Sequence, residues 1–141
     1  MTDAGVCRLW GRVVGRRVLS ALCRPGLCRA PRPDEPGLPG VEAHAADMRE
    51  RGFVGHENPD SQGLSERYAA FGLDCPGGEN VYHSPTGGLA SSSRVLADHV
   101  VDAWTGSEGH RGAILKDRFD RQGVGVAVGP DGGVWVTQDF C

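Results

Sequence analysis

From residue 41 onward, apolar and polar positions follow a regular pattern. Val41, Ala45 and Met48 share one helical face and Gly52 follows as a stop, which predicts a helix ending there. Leu64, Tyr68 and Phe71 predict a second helix, closed by Gly72. Ser91, Ser92 and Ser93 offer N-caps to a third, with Leu96, Val100, Ala103 and Trp104 as its apolar face. A short helix is expected through Ala113, Ile114 and Leu115. The period then changes to two. Val124, Val126 and Val128 alternate with small residues, and Val134 and Val136 alternate with Trp135 and Thr137. Pro130-Asp131-Gly132-Gly133 lies between these runs as a turn signal, so they predict a β-hairpin. The pattern reads as helices followed by a hairpin, with no internal repeat.

Residues 1–40 have a different character. Trp10, Val14, Val18 and Leu22 recur at helical spacing opposite Arg8, Arg12 and Arg16, which predicts a short basic amphipathic helix weakened by Gly11 and Gly15. Four arginines interrupt it before any long apolar stretch, so it makes a poor signal peptide. Five prolines between Arg24 and Gly40 mark a linker. The expected organisation is an atypical basic, Pro-rich segment, 1–40, that packs poorly, and a domain, 41–141.

Charge sharpens that division. Residues 1–33 carry seven arginines against Asp3 alone, a net +6, whereas the remainder carries 8 basic and 17 acidic side chains, a net −9. An acidic body disfavours binding nucleic acid by phosphate neutralisation. At 141 residues, 39% of them hydrophobic, the chain is long enough for one domain with a real core. No apolar run approaches the roughly 18–20 residues of a membrane span.

The chemistry-bearing candidates are histidines and a glutamate beside glycines. His56 follows the first helix and precedes Asn58, Pro59 and Asp60, a loop position suited to a site. Glu79 follows Gly77-Gly78, and His110 follows Gly109. Two neutral imidazoles and a carboxylate suit Zn²⁺ or another divalent cation with an open fourth position. The same groups suit general acid–base work, or they simply hydrogen-bond to hold a cleft together. There is no His-x-x-x-His and no Cys-x-x-Cys, so a metal reading requires the residues to meet in space. Cys75 and Cys141 in the body are either one disulfide or two free thiols, and Cys7, Cys23 and Cys28 lie in the basic segment.

The motifs Gly52-Phe53-Val54-Gly55-His56, Gly78-Glu79-Asn80-Val81, Ser107-Glu108-Gly109-His110-Arg111 and Gln138-Asp139-Phe140, in this order, resemble the CAP superfamily (cysteine-rich secretory, antigen 5 and pathogenesis-related-1 proteins), also called SCP domains. The form is nearest the prokaryotic branch. The resemblance covers about Glu42 to Cys141. It implies an α+β fold, a three-layer α–β–α sandwich with a central antiparallel sheet, whose usual first helix is missing or replaced here. It maps His56, Glu79 and His110 onto cleft positions and leaves His44 structural. Ser107 stands where many eukaryotic members carry a second glutamate. By resemblance, Cys75 pairs with Cys141.

The implied function is an extracellular domain whose His/Glu cleft binds a divalent cation, acting as a binding or interaction module for a small-molecule, lipid or cell-surface ligand. The alternative is a metal-assisted or acid–base hydrolase acting on peptide or cell-wall material. No Gly-x-Ser-x-Gly elbow surrounds Ser107, which favours the binding module.

Overall fold

A computed structural model of the protein describes residues 38–85, 93–119 and 121–141. The predicted amphipathic helix around Trp10 to Leu22, the Pro-rich linker up to Gly37, and Cys7, Cys23, Cys28, Ser91 and Ser92 lie outside the described residues.

The elements run α1 (Val41–Arg51), α2 (Leu64–Ala70), β1 (Gly78–Ser84), α3 (Ser93–Gly106), α4 (Glu108–Ile114), β2 (Gln122–Val128) and β3 (Val134–Phe140). The three strands form one antiparallel sheet in the order β1-β3-β2. The predicted hairpin is therefore present, and β1 joins its inner strand. The pattern Gly-Glu-Asn-Val-Tyr-His-Ser gave no sign of a strand, because β1 carries polar side chains towards both faces. In register, Glu79 faces Asp139, Asn80 faces Gln138 and Val81 faces Thr137. Across β3, Val124 pairs with Gln138 and Val126 with Val136. The turn closes through Gly129 N–H to the Gly133 carbonyl, 2.8 Å, and Asp131 Oδ1 accepts from Gly133 N–H, 3.1 Å.

Helices cover both faces of the sheet, giving an α–β–α sandwich. On one face α3 and α4 bury Ala97, Val100, Val101, Trp104 and Ile114 against Val134, Val136 and Phe140. Ala97 and Val101 take the buried positions, while Ala103, expected to face inward, is exposed. The helix is thus rotated slightly from the expected face. Trp104 Nε1–H donates to the Val81 carbonyl, 3.0 Å, so its one polar atom is satisfied inside the core.

On the other face α1 lies against β2 and β3, burying Val41, His44, Ala45 and Met48. A period-two pattern does not say which face of a strand is covered, and on β2 it is the small residues. Gly123, Gly125 and Ala127 are buried beneath α1, while Val126 and Val128 are 42% and 48% exposed. Gly125 has to be glycine: a Cβ there would collide with the Val41 carbonyl, and this close backbone approach seats α1. Leu38 is buried too, so the packed body reaches back beyond Val41. Gly52 caps α1 in the left-handed region at φ 69°, and Phe53 N–H bonds the Met48 carbonyl, 3.1 Å.

In α2 the expected apolar face is only partly used. Tyr68 is buried and donates its hydroxyl to the Phe140 carbonyl, 2.6 Å, whereas Phe71 is largely exposed and leans over Gly40. Cys75 and Cys141 form a disulfide with Cα atoms 5.5 Å apart, tying the segment before β1 to the end of β3. The alternative of two free thiols is thereby set aside. Among the described residues, no helix is long and apolar enough to cross a membrane.

Candidate functional site

Alternation along β1 and β3 divides their side chains between the two faces. Glu79 and Asp139, opposite one another, point to the α1 side, where Thr137 Oγ1 reaches the Val41 carbonyl, 3.0 Å. Asn80 and Gln138 point to the α3 side, where their amides bond at 3.0 Å. The site grows on the α1 side at the end of the sheet stapled by the disulfide.

Glu79 is its centre, with a side chain 2% exposed. Its Oε1 lies 2.8 Å from His56 Nδ1, and its Oε2 lies 2.7 Å from Arg67 Nη2 and 3.8 Å from His44 Nε2. An ionised carboxylate only accepts, so His56 donates from Nδ1. Its ring, 59% exposed, therefore turns the Nε2 lone pair outward when neutral. His44, deeply buried, donates Nε2–H to the Gly55 carbonyl, 3.0 Å. Arg67 on α2 also bonds the His56 carbonyl, 3.3 Å, and the Gly63 carbonyl, 3.4 Å.

The electrostatics follow from this geometry. Burial raises the Glu79 pKa, but the His56 hydrogen bond, the Arg67 charge, the Asp139 hydrogen bond and His44 outweigh it, and the net shift is downward. Asp139 is pushed up to about 8 by burial and then by the Glu79 charge beside it, so near neutrality it holds a proton and shares it with Glu79 in a hydrogen bond. The hydrogen bond to Glu79 raises the His56 pKa, while burial lowers that of His44 and keeps its ring neutral. Burial also raises the Tyr68 hydroxyl, keeping it a donor. The neutral, buried His44 imidazole and a protonated Asp139 carboxyl thus flank one negative charge, balanced by Arg67.

Of the residues singled out in the sequence, the structure joins His56 to Glu79. His110 sits in the first turn of α4, and its backbone carbonyl accepts from Asn80 Nδ2, 3.2 Å, so it docks on the neighbour of Glu79. Its ring makes no hydrogen bond or ion pair to His56 or Glu79, and its buried Nδ1 has no hydrogen-bond partner among the described residues. Ser107 is the N-cap residue of α4 with no side-chain capping bond. Three groups complete the site beyond the expected set. His44 occupies the buried face of α1 at i+3 from Val41, a phase that marked it as inward-facing. Arg67 precedes the buried Tyr68 on α2. Asp139 is found by pairing it with Glu79 across the sheet, which requires knowing that β1 is a strand.

Zn²⁺, which two imidazoles and a carboxylate suit, requires these side chains to converge. Among the described residues no three His, Cys, Asp or Glu side chains are grouped to hold a metal ion. Both Glu79 oxygens are engaged, one of them by the cationic Arg67. A chelate of His56, Glu79 and His110 with Glu79 as a direct donor therefore does not fit. Glu79 instead stands behind His56, the place of an outer carboxylate that orients an imidazole.

The profile described as the cysteine-rich secretory protein family, CAP, matches residues 40–140. The chain belongs to this family. It is 30% identical over 108 residues to the uncharacterized protein YkwD of Bacillus subtilis (strain 168), covering 76% of this chain and 37% of that protein. It is also 30% identical over 94 residues to the uncharacterized membrane protein YlbC of the same organism, covering 66% of this chain and 25% of that one. The fold is similar to the crystal structure of an extracellular protein containing a SCP domain from Bacillus anthracis str. Ames, with a TM-score of 0.52 and 27% identity over 71% of this chain and 29% of that chain. The chain thus spans at most 37% of the length of these relatives.

Proposed function

We propose that this CAP domain is an extracellular binding module whose cleft offers His56 to its ligand. The observation that carries the reading is the exposed imidazole fixed at 2.8 Å by a buried carboxylate. Holding an exposed ring at Nδ1 fixes the direction of Nε2, an acceptor when the ring is neutral and a donor when it is charged, and lowers the ordering cost of binding. The Cys75–Cys141 disulfide suits an oxidising exterior, as does the extracellular origin of the related SCP-domain protein.

The divalent cation implied by the family resemblance would have to bind without Glu79 as a direct donor. His56 Nε2 and the His110 ring would hold it, with Glu79 behind His56 and the remaining positions left to solvent or to an anionic group of a partner. The cation would supply a Lewis-acidic anchoring point. The test is the melting temperature with and without Zn²⁺. A rise is expected in the native chain, since a ligand bound only by the folded state stabilises it, and it should vanish in His56→Ala/His110→Ala. An equal rise in the double variant would reject these ligands.

A hydrolase is the second reading, favoured by one observation. Glu79 and Asp139 are neighbouring carboxyls whose pKa values are driven apart, a pattern seen where one acid and one base are needed. Against it, both carboxyls are buried away from any ligand that His56 would meet. Turnover of peptidoglycan or peptide that disappears in Glu79→Gln would support it.

A further inference from the structure

The loop that carries His56 is held at two successive carbonyls by two residues from different helices. From α1, His44 Nε2–H bonds the Gly55 carbonyl at 3.0 Å. From α2, Arg67 Nη2–H bonds the His56 carbonyl at 3.3 Å. Both also stand against the same oxygen of Glu79, Oε2, at 3.8 and 2.7 Å. His44 further packs its ring on Phe53, centroids 5.9 Å apart, at the start of the same loop. A histidine that merely filled the core beneath α1 would have no need of a donor aimed at this loop.

We propose that His44 is a positioning residue for the cleft: its bond to Gly55 fixes the loop that delivers His56, and together with Arg67 it occupies the Oε2 side of Glu79 so that Oε1 is left to the His56 Nδ1–H. The logic is that of an outer shell that orients the group presented to a ligand. The Gly55 carbonyl can only accept, so His44 has to carry its proton on Nε2. A neutral ring is required there, because a charged one would compete with His56 and Arg67 for the single carboxylate charge. Burial, which lowers the His44 pKa, supplies that condition. Gly55 gives the loop no side chain to wedge in place, so position has to come from its backbone groups. The proposal rests on the reading of His56 as the group offered to the ligand.

The experiment reads ring tautomers by ¹⁵N NMR of the full chain without metal, at a pH above the His56 titration. In the native chain His44 should be the Nε2–H tautomer with a through-hydrogen-bond coupling to the Gly55 carbonyl, and His56 should be mostly Nδ1–H. In His44→Phe, which keeps a ring but loses the donor, the Nδ1–H form of His56 should fall from majority to minority. In His44→Gln, whose amide can donate to the same carbonyl, it should return to majority. A folded His44→Phe that keeps His56 mostly Nδ1–H overturns the proposal, as does His44→Gln failing to restore it. If His44→Phe does not fold, the native spectrum and His44→Gln decide: an Nδ1–H tautomer at His44, or loss of the His56 tautomer in the Gln variant, refutes it. Because no metal is added, a failure of Zn²⁺ binding leaves this result untouched. Zn²⁺ binding that survives in a His44→Phe protein with an unchanged His56 tautomer would refute only this proposal.

Discussion

The two faces of the sheet are held by different physics. Towards α3, Val134, Val136 and Phe140 meet Trp104, Val100 and Ile114, and stability comes from apolar area removed from water. Towards α1, the strands offer glycines for close backbone approach, and at the disulfide-stapled end they offer Glu79 and Asp139. There Glu79 is held by His56 and Arg67 with His44 close by, while Asp139 Oδ1 has no hydrogen-bond partner among the described residues, so the order of the cleft depends on protonation as well as packing. The apolar face sets whether the chain folds. The polar face sets what the folded chain presents.

The largest expected effect lies on the apolar face. Trp104→Ala removes a fully buried ring and its bond to the Val81 carbonyl, and should cost about 3–5 kcal/mol in urea unfolding. A loss under about 1 kcal/mol would mean that the core does not depend on this face. Next is the staple at the end of the sheet. Cys75→Ser/Cys141→Ser opens a loop with a sequence separation of 66, and should cost roughly 2–4 kcal/mol. It should also loosen the polar face first, since the staple joins the ends of β1 and β3 where Glu79 and Asp139 sit. Faster amide exchange at Val100 and Val101 than at Glu79 and Asn80 in that variant would reverse the assignment.

How far these two faces were legible in the sequence differs for the same reason. Hydrophobic period found α1, α3 and the hairpin, because apolar burial writes itself as spacing. It found nothing at Gly78–Ser84, where Glu79 and Asn80 serve opposite polar networks and no alternation of apolar with polar survives. It also gave no face to β2, whose buried side is Gly123, Gly125 and Ala127 while its valines are exposed. His56 and Glu79 were singled out by their place at an element end or beside glycines, and motif resemblance assigned them to a cleft and paired Cys75 with Cys141. Asp139 as partner of Glu79, and His44 and Arg67 as its supports, depended on strand register and helix placement that no local window contains.

The polar face should show its protonation in stability. Asp139 titrates at about 8 in the fold against an ordinary 3.8, so the folded chain holds a proton that the unfolded chain gives up. That contribution is complete below about pH 3.8 and is lost as the pH rises through about 8. The raised His56 pKa acts in the same direction: its contribution is full below 6.5 and is lost above its folded value. The lowered Glu79 pKa shapes only the acid side, where its contribution is lost as the pH falls below about 4.5. The native chain should therefore weaken from pH 6 to just above pH 8, and Asp139→Asn, which mimics the protonated form, should lose about 2–3 kcal/mol less over that interval. Parallel pH profiles for the two proteins would show that Asp139 is ionised throughout and that the pair shares no proton.

The central claim is that a buried Glu79 holds an exposed His56 by its Nδ1–H. The most direct measurement is the NMR titration of the His56 ring in the native chain and in Glu79→Gln. The native ring should titrate above the ordinary histidine value of 6.5, because the hydrogen bond to the carboxylate favours its charged form, and the Gln variant should bring it back down. A native His56 titrating at or below 6.5, unmoved by Glu79→Gln, would contradict the account.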